Sequence, residues 1–167
     1  MWGDLGGGDS VAPAGKNPAM TVEQMLHAAV RQSIEGMAFM PVEPAEMLIA
    51  TLPVVEPVEG QLLVVLSQRV ARSLTVSVQA CEPSEITDQM LKDFVAELSN
   101  LIAGQLLSML VGDDQVFHLG VPTVSMGGLR MHDKRACSTY FLVDGSPLEV
   151  VISGAALVEL LSGKATS

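Results

Sequence analysis

The chain has 167 residues, and its 9 basic and 19 acidic residues give a formal net charge of −10. This balance argues against a nucleic-acid partner and against an anionic membrane surface, because both are bound mainly through Lys and Arg. Hydrophobic residues make up 49% and aromatic residues only 4%, so we expect one domain with a sizeable aliphatic core.

Targeting signals and disulfides are not predicted. The sequence has no apolar run of about 18 residues that could span a membrane. Its N-terminus lacks a basic segment followed by an apolar one, so we expect no signal peptide and a cytoplasmic location. Cys81 and Cys137 are too few for a disulfide framework, and we expect both to be reduced and mostly buried thiols.

The N-terminal region divides into a lead and a first helix. Residues 1–20 are rich in Gly, Ala and Pro without periodicity, which predicts a disordered lead followed by a single domain over residues 21–167. Apolar positions at helical spacing predict a helix over residues 21–40, with Thr21 as its N-cap and Pro41 ending it.

Two strands and an ambiguous segment come next. Residues 47–52 and 61–66 are short apolar runs that predict strands, the first closed by Pro53. In residues 68–80, alternation of apolar and polar residues favours a strand, whereas apolar spacing and Ser67 as a possible cap favour a helix.

A long two-faced helix is predicted from the start signals at 83–87 to about Leu110. One side is apolar: Leu91, Phe94, Val95, Leu98, Leu101, Ile102, Leu106 and Met109. Another line is polar or small: Asp93, Glu97, Asn100, Gly104 and Ser108. Side chains three or four residues apart are neighbours on a helix, so Glu97 and Asn100 are expected side by side.

The C-terminal third predicts further strands. Residues 115–126 read as one strand, with Pro122 marking an edge or a break. Residues 139–143 and 148–152 read as a hairpin around Asp144-Gly145, and residues 155–161 as a terminal helical turn. Long helices mixed with hairpin strands, without regular alternation, predict the α+β class with a largely antiparallel sheet packed against long helices.

Motifs for conventional hydrolases or metalloenzymes are weak. Asp113-Asp114 has no further ligand at clear spacing, and His118 and His132 have no zinc-like spacing with Cys137. The three glycines at 6–8 have no preceding strand and no following Lys-Ser/Thr, so they do not form a phosphate loop. No metal or cofactor site of this chain's own is expected.

The segment Asp93-Phe-Val-Ala-Glu97-Leu-Ser-Asn100-Leu-Ile-Ala-Gly104 resembles the signature of the CheX/CheC/FliY chemotaxis phosphatases, in which a long helix carries Glu-x-x-Asn. Residues 120–127 resemble the Pro-containing strand after that helix, and residues 34–40 and 140–153 also resemble the family. CheC-type members carry the motif twice. Here Ala38 stands where the second Asn would be, so the resemblance implies one site, as in CheX.

The resemblance implies a CheC/CheX-like fold and a helix over residues 68–80. It also implies an activity: dephosphorylation of the phospho-aspartate of a CheY-like response regulator. In such a site Asn100 would hold the attacking water and Glu97 would pair with a lysine of the regulator. The Mg²⁺ would belong to the regulator, and the chain would form a homodimer. The alternative is a non-catalytic binding or scaffold module for the phosphorylated regulator.

Overall fold

Alternating apolar residues build an antiparallel sheet in the second of two compact units. In the computed structural model, residues 22–39, 41, 45–111, 116–127 and 136–164 are described. One unit extends to residue 44 and the other begins at Ala45. The predicted boundary at residue 20 lies outside the described residues, and a single domain over residues 21–167 stays a prediction.

The described part of the first unit contains helix α1, Val22–Ala38, which confirms the first predicted helix. Arg31 and Glu35 form an ion pair across one helical turn, with Nε and Oε1 3.0 Å apart. Ala38 is the last helical residue. Thr21, the predicted cap, lies outside the described residues.

The second unit contains a six-stranded antiparallel sheet. Its strands are β1 (Met47–Glu56), β2 (Gly60–Ser67), β3 (His118–Leu119), β4 (Thr123–Met126), β5 (Ala136–Val143) and β6 (Ser146–Ser153). The order is β3-β1-β2-β6-β5, and β4 also pairs with β1. Helices α2 (Gln68–Gln79), α3 (Asp88–Val111) and α4 (Ala155–Lys164) accompany the sheet, and a 3₁₀ turn, Pro83–Glu85, precedes α3. The α+β prediction is confirmed.

Pro53 does not close the first strand, and that prediction was wrong. β1 continues to Glu56, with Pro53 paired to Gln61 of β2. The Pro53 carbonyl accepts a hydrogen bond from Gly120 N at 2.8 Å, so the proline nitrogen also faces this other side of β1. There β4 pairs only with residues 48–51 and β3 only with Val54 and Glu56. The missing N–H therefore falls in a gap between two partners and breaks no ladder bond.

The single strand predicted over residues 115–126 is two strands. Pro122 lies between β3 and β4, so the predicted break is confirmed. The β5–β6 hairpin is longer than predicted, and its turn is Asp144-Gly145, with φ of 50° and 71°. Two successive positive φ angles match the right-handed twist of a hairpin, which is why Asp-Gly is a strong signal.

The core lies between one face of the sheet and helices α2 and α3. Ser67 caps α2 by accepting a hydrogen bond from Val70 N at 3.3 Å, so residues 68–79 are helical. Fully or almost fully buried residues of this core are Leu48, Ala50, Leu52, Leu62, Val64, Leu66, Val70, Ala71, Leu91, Val95 and Ala103. The core is thus aliphatic, as the composition predicted.

Candidate functional site

The candidate site is built on α3, whose start is fixed by local hydrogen bonds. Thr87 precedes the helix, and its Oγ1 accepts a hydrogen bond from Met90 N at 3.2 Å. Asp88 in the first turn places a negative charge where the helix dipole is positive. The helix then continues for 24 residues, about 36 Å. It is a long, well-anchored support for side chains on its surface.

Most of the predicted apolar face of α3 packs on the core. Leu91 and Val95 are buried, and four further residues of that face pack against the core: Phe94, Leu98, Ile102 and Leu106. The most buried line also includes residues that were not predicted. Val95, Ser99, Ala103 and Leu107 are each at most 1% exposed. Ser99 is tolerated there because its Oγ donates a hydrogen bond to the Ala96 carbonyl at 2.7 Å. The polar or small positions opposite this line are therefore directed away from the core.

Two residues of the predicted apolar face do not pack on the core, and for these the prediction was wrong. Leu101 is 57% exposed and Met109 is 80% exposed. The helix carries apolar residues on more than one side, so periodicity alone could not select the exact side that packs on the sheet. Leu101 instead joins the exposed surface next to Glu97.

Glu97 and Asn100 lie side by side at this surface. They are one helical turn apart, so their Cβ atoms are about 5–6 Å from each other. Glu97 is exposed and Asn100 is half-buried. Within the described part of the chain, neither side chain has a hydrogen-bond or ion-pair partner. Both groups can therefore reach an outside partner without first breaking such a bond.

The charge beside the pair is negative. Asp93 lies one turn before Glu97 on the same exposed line, where its Oδ1 accepts a hydrogen bond from Gln89 Nε2 at 2.7 Å. Two carboxylates four residues apart repel each other slightly on a helix. A cationic side chain from outside would relieve this repulsion, so this surface suits a lysine or arginine of a partner.

The pair does not line the groove found at α2. This groove, of about 560 Å³, is lined by residues of α2 and the 3₁₀ turn: Gln68, Arg69, Arg72, Ser73, Val76, Ser77 and Pro83. Arg72 closes part of it by donating from its guanidinium to the carbonyls of Pro83 and Ile86. Neither Glu97 nor Asn100 belongs to that groove.

Other candidate residues add no second centre. Across the described ranges no group of three or more His, Cys, Asp and Glu side chains could hold a metal ion. His118 interacts with Glu56 across strands β3 and β1. Cys81 is half-buried and Cys137 is exposed, so the expectation of burial was wrong for Cys137. Asp113, Asp114 and His132, like the glycines at 6–8, lie outside the described residues.

In the described part of the chain, no helix is both long and apolar enough to cross a membrane.

Comparison with protein families settles the relationship. The family model described as "Chemotaxis phosphatase CheX" matches residues 48–143, more than half of the chain. The chain belongs to the CheX family. The match includes all of α3 with Glu97 and Asn100, so the resemblance inferred from the motif is confirmed.

Solved CheX structures share the fold of this CheX-family chain. A chain of the CheX-CheY-BeF3-Mg²⁺ complex from Borrelia burgdorferi is 23% identical, with 79% of this chain and 96% of that chain covered and a TM-score of 0.51. CheX from Desulfovibrio desulfuricans is 19% identical, with coverages of 75% and 93% and a TM-score of 0.54. CheX from Vibrio vulnificus is 16% identical, with coverages of 83% and 99% and a TM-score of 0.53.

At these identities the structural likeness supports the CheX-like fold alone. No curated protein matches the chain in sequence.

Proposed function

We propose that this CheX-family chain is a phosphatase that hydrolyses the phospho-aspartate of a CheY-like response regulator. The observation that carries the proposal is the pair on α3. Glu97 and Asn100 are adjacent, directed outward, unpaired within the described part of the chain and mounted on a long helix. The family to which the chain belongs, and the CheX-CheY complex among its structural relatives, support this reading.

In the proposed reaction Asn100 positions water. An amide side chain is not a base at ordinary pH, but it can accept and donate hydrogen bonds. Its oxygen would hold a water in line with the bond between phosphorus and the aspartyl oxygen. The water attacks phosphorus, the P–O bond to the aspartyl group breaks, and inorganic phosphate and a free carboxylate result. Phosphoryl transfer needs mainly positioning and charge stabilisation, and this site can supply the positioning.

Glu97 would dock the regulator through a lysine. An exposed carboxylate beside Asp93 attracts a cation, and a lysine paired with Glu97 would be fixed one helical turn from Asn100. The Mg²⁺ would be held by the regulator, so the chain would need no cofactor of its own. If the site accelerates hydrolysis about 10²-fold, it lowers the barrier by about 2.7 kcal/mol.

We further propose a cytoplasmic homodimer that joins its sheet to that of a second copy. Strand β5 is a sheet edge of eight residues, and Tyr140, Phe141 and Leu142 on it are all at least 50% exposed. A long apolar edge is prone to pair with another strand, and a second β5 would satisfy its open backbone groups. Light scattering should give a dimer mass, and Leu142→Lys should shift it to the monomer. A monomer at micromolar concentration would refute this part.

The phosphatase proposal is tested by following the loss of radiolabelled phosphate from a phosphorylated CheY-like regulator in the presence of Mg²⁺. Catalytic amounts of the chain should accelerate decay, and Asn100→Ala should abolish the acceleration without altering the circular dichroism spectrum. Gln79→Ala is the control, because it also removes a side-chain amide from a helix, but from the end of α2 and not from α3. If Asn100→Ala kept the full rate, the water-positioning role would be wrong. Binding of the phosphorylated regulator without phosphate release would favour the non-catalytic module.

A further inference from the structure

Gly104 lies one turn beyond Asn100 in the interior of α3, and the fold itself does not require a glycine there. A Cβ added at Gly104 would meet nothing within 4 Å outside the adjacent backbone. Glycine is the most helix-destabilising residue after proline, because it loses the most backbone freedom. Nothing among the described contacts offsets that cost, so the reason for the glycine must be sought outside the free chain.

The position of Gly104 points to the same surface as the candidate site. Glu97, Asn100, Leu101 and Gly104 are at i, i+3, i+4 and i+7, which places them in one continuous patch on the helix. Leu101, which follows Asn100 in the sequence, is an apolar side chain that is 57% exposed. We call these four residues the α3 patch. It combines a carboxylate, an amide, an apolar side chain and a bare stretch of backbone.

We propose that Gly104 and Leu101 form the seat on which the main chain of the phosphorylated regulator docks. This inference rests on the proposed phosphatase function and specifies how its partner is recognised. Asn100 can reach a phosphoryl group only if the partner comes into van der Waals contact with α3. Gly104 is four residues further along, about 6 Å along the helix axis, so a partner that engages Asn100 also overlies Gly104.

The bare backbone at Gly104 then lets the regulator approach more closely than a side chain would permit. Leu101 supplies apolar contact area beside it, which an acidic chain needs because long-range attraction to an acidic regulator pocket would be weak. The two residues are positioning residues for the substrate protein, and they take no part in bond making or breaking.

The proposal predicts opposite effects of Gly104→Ala on stability and on substrate recognition. The free chain should melt about 3 °C higher, because the helix gains propensity and no clash arises. KM for the phosphorylated regulator should rise about tenfold, equivalent to about 1.4 kcal/mol of lost binding. The value of kcat should stay within about twofold, because the methyl group does not touch the water held by Asn100. Gly104→Gln should raise KM further.

Gly163→Ala is the matched control. Gly163 lies in α4, where an added Cβ also meets nothing within 4 Å. It should leave KM and kcat at their wild-type values. A higher melting temperature of Gly104→Ala with unchanged KM would overturn the proposal, as would a loss confined to kcat.

The outcomes separate this inference from the proposed function. If wild type accelerates decay and Gly104→Ala has the same KM, only the docking seat is wrong. If wild type does not accelerate decay, binding of the regulator loaded with BeF3 and Mg²⁺ still tests the seat, with Gly104→Ala expected to weaken it about tenfold. Absence of both activity and binding would overturn both proposals.

Discussion

Two leucines on α3 test which side of the helix faces the core. Leu107 is 1% exposed, whereas Leu101, on another side of the helix, is 57% exposed. Truncation of a buried leucine to alanine removes transfer free energy and leaves a cavity, so Leu107→Ala should destabilise the chain by about 3 kcal/mol. Leu101→Ala leaves no cavity, and less than half of its side chain is buried, so the cost should stay below about 1 kcal/mol.

The difference is measurable by urea unfolding followed at 222 nm and by thermal melting. Leu107→Ala should lower the melting temperature by about 9 °C, and Leu101→Ala by no more than about 3 °C. The urea midpoint should fall while the slope is unchanged if only stability is altered. Equal destabilisation by the two substitutions would show that α3 is rotated relative to this structure, and Glu97 and Asn100 would then not face outward.

Three further predictions test other parts of the fold. Gly60→Ala should destabilise the chain by about 2 kcal/mol, because the new Cβ would lie 2.7 Å from Leu157 side-chain atoms, and a lower urea midpoint would show it. Ser67→Ala should cost about 1 kcal/mol by removing the cap of α2, and an unchanged midpoint would contradict the cap. Tyr140, the chain's single tyrosine, has a pKa above its ordinary value because a hydrogen bond to Glu149 and then that carboxylate's charge favour the neutral phenol. Its absorbance titration should have a midpoint above about 10, and Glu149→Gln should lower it. Any stabilisation from this pair is present at neutral pH and is lost as pH rises through the folded-state pKa of Tyr140.

The class of the fold could be predicted because most elements carry local signals that agree with their packing. Ser67 as an N-cap is one such signal, and it decides the ambiguous segment in favour of α2. The alternation of apolar and polar residues at the C-terminal end of this segment does not form a strand. Val78, one of its apolar residues, is 69% exposed at the end of α2. The apolar spacing of Val70, Ala71 and Leu74 along one side agrees with the cap, because it lets the helix pack on the core.

The errors came from contacts that are remote in sequence. Pro53 ends a strand only if its missing N–H faces a continuous partner, and the gap between β3 and β4 lies some 65 to 70 residues later in the chain. The same holds for Leu101. Its exposure depends on which side of α3 meets the sheet, and a helix with apolar residues on more than one side does not encode that side. The motif spacing of Glu97 and Asn100, in contrast, is local, and it could be read directly.

The solvent exposure of Glu97 restricts what this chain could do alone. Glu97 and Asn100 do not line the groove at α2, and across the described ranges no cluster of ligands could hold a metal ion. The Glu97 carboxylate is exposed to solvent, so it lacks the low-dielectric surroundings in which a developing charge is stabilised most strongly. On the proposed function, the metal and the enclosed phosphoryl group come from the regulator, and this chain adds the positioned water.

A small acyl phosphate in solution offers no such surroundings. The chain should therefore leave the hydrolysis rate of acetyl phosphate with Mg²⁺ unchanged, at concentrations that accelerate decay of the phosphorylated regulator. Acceleration of both that was lost together in Asn100→Ala would mean that the pair is a complete active site, contrary to this reasoning.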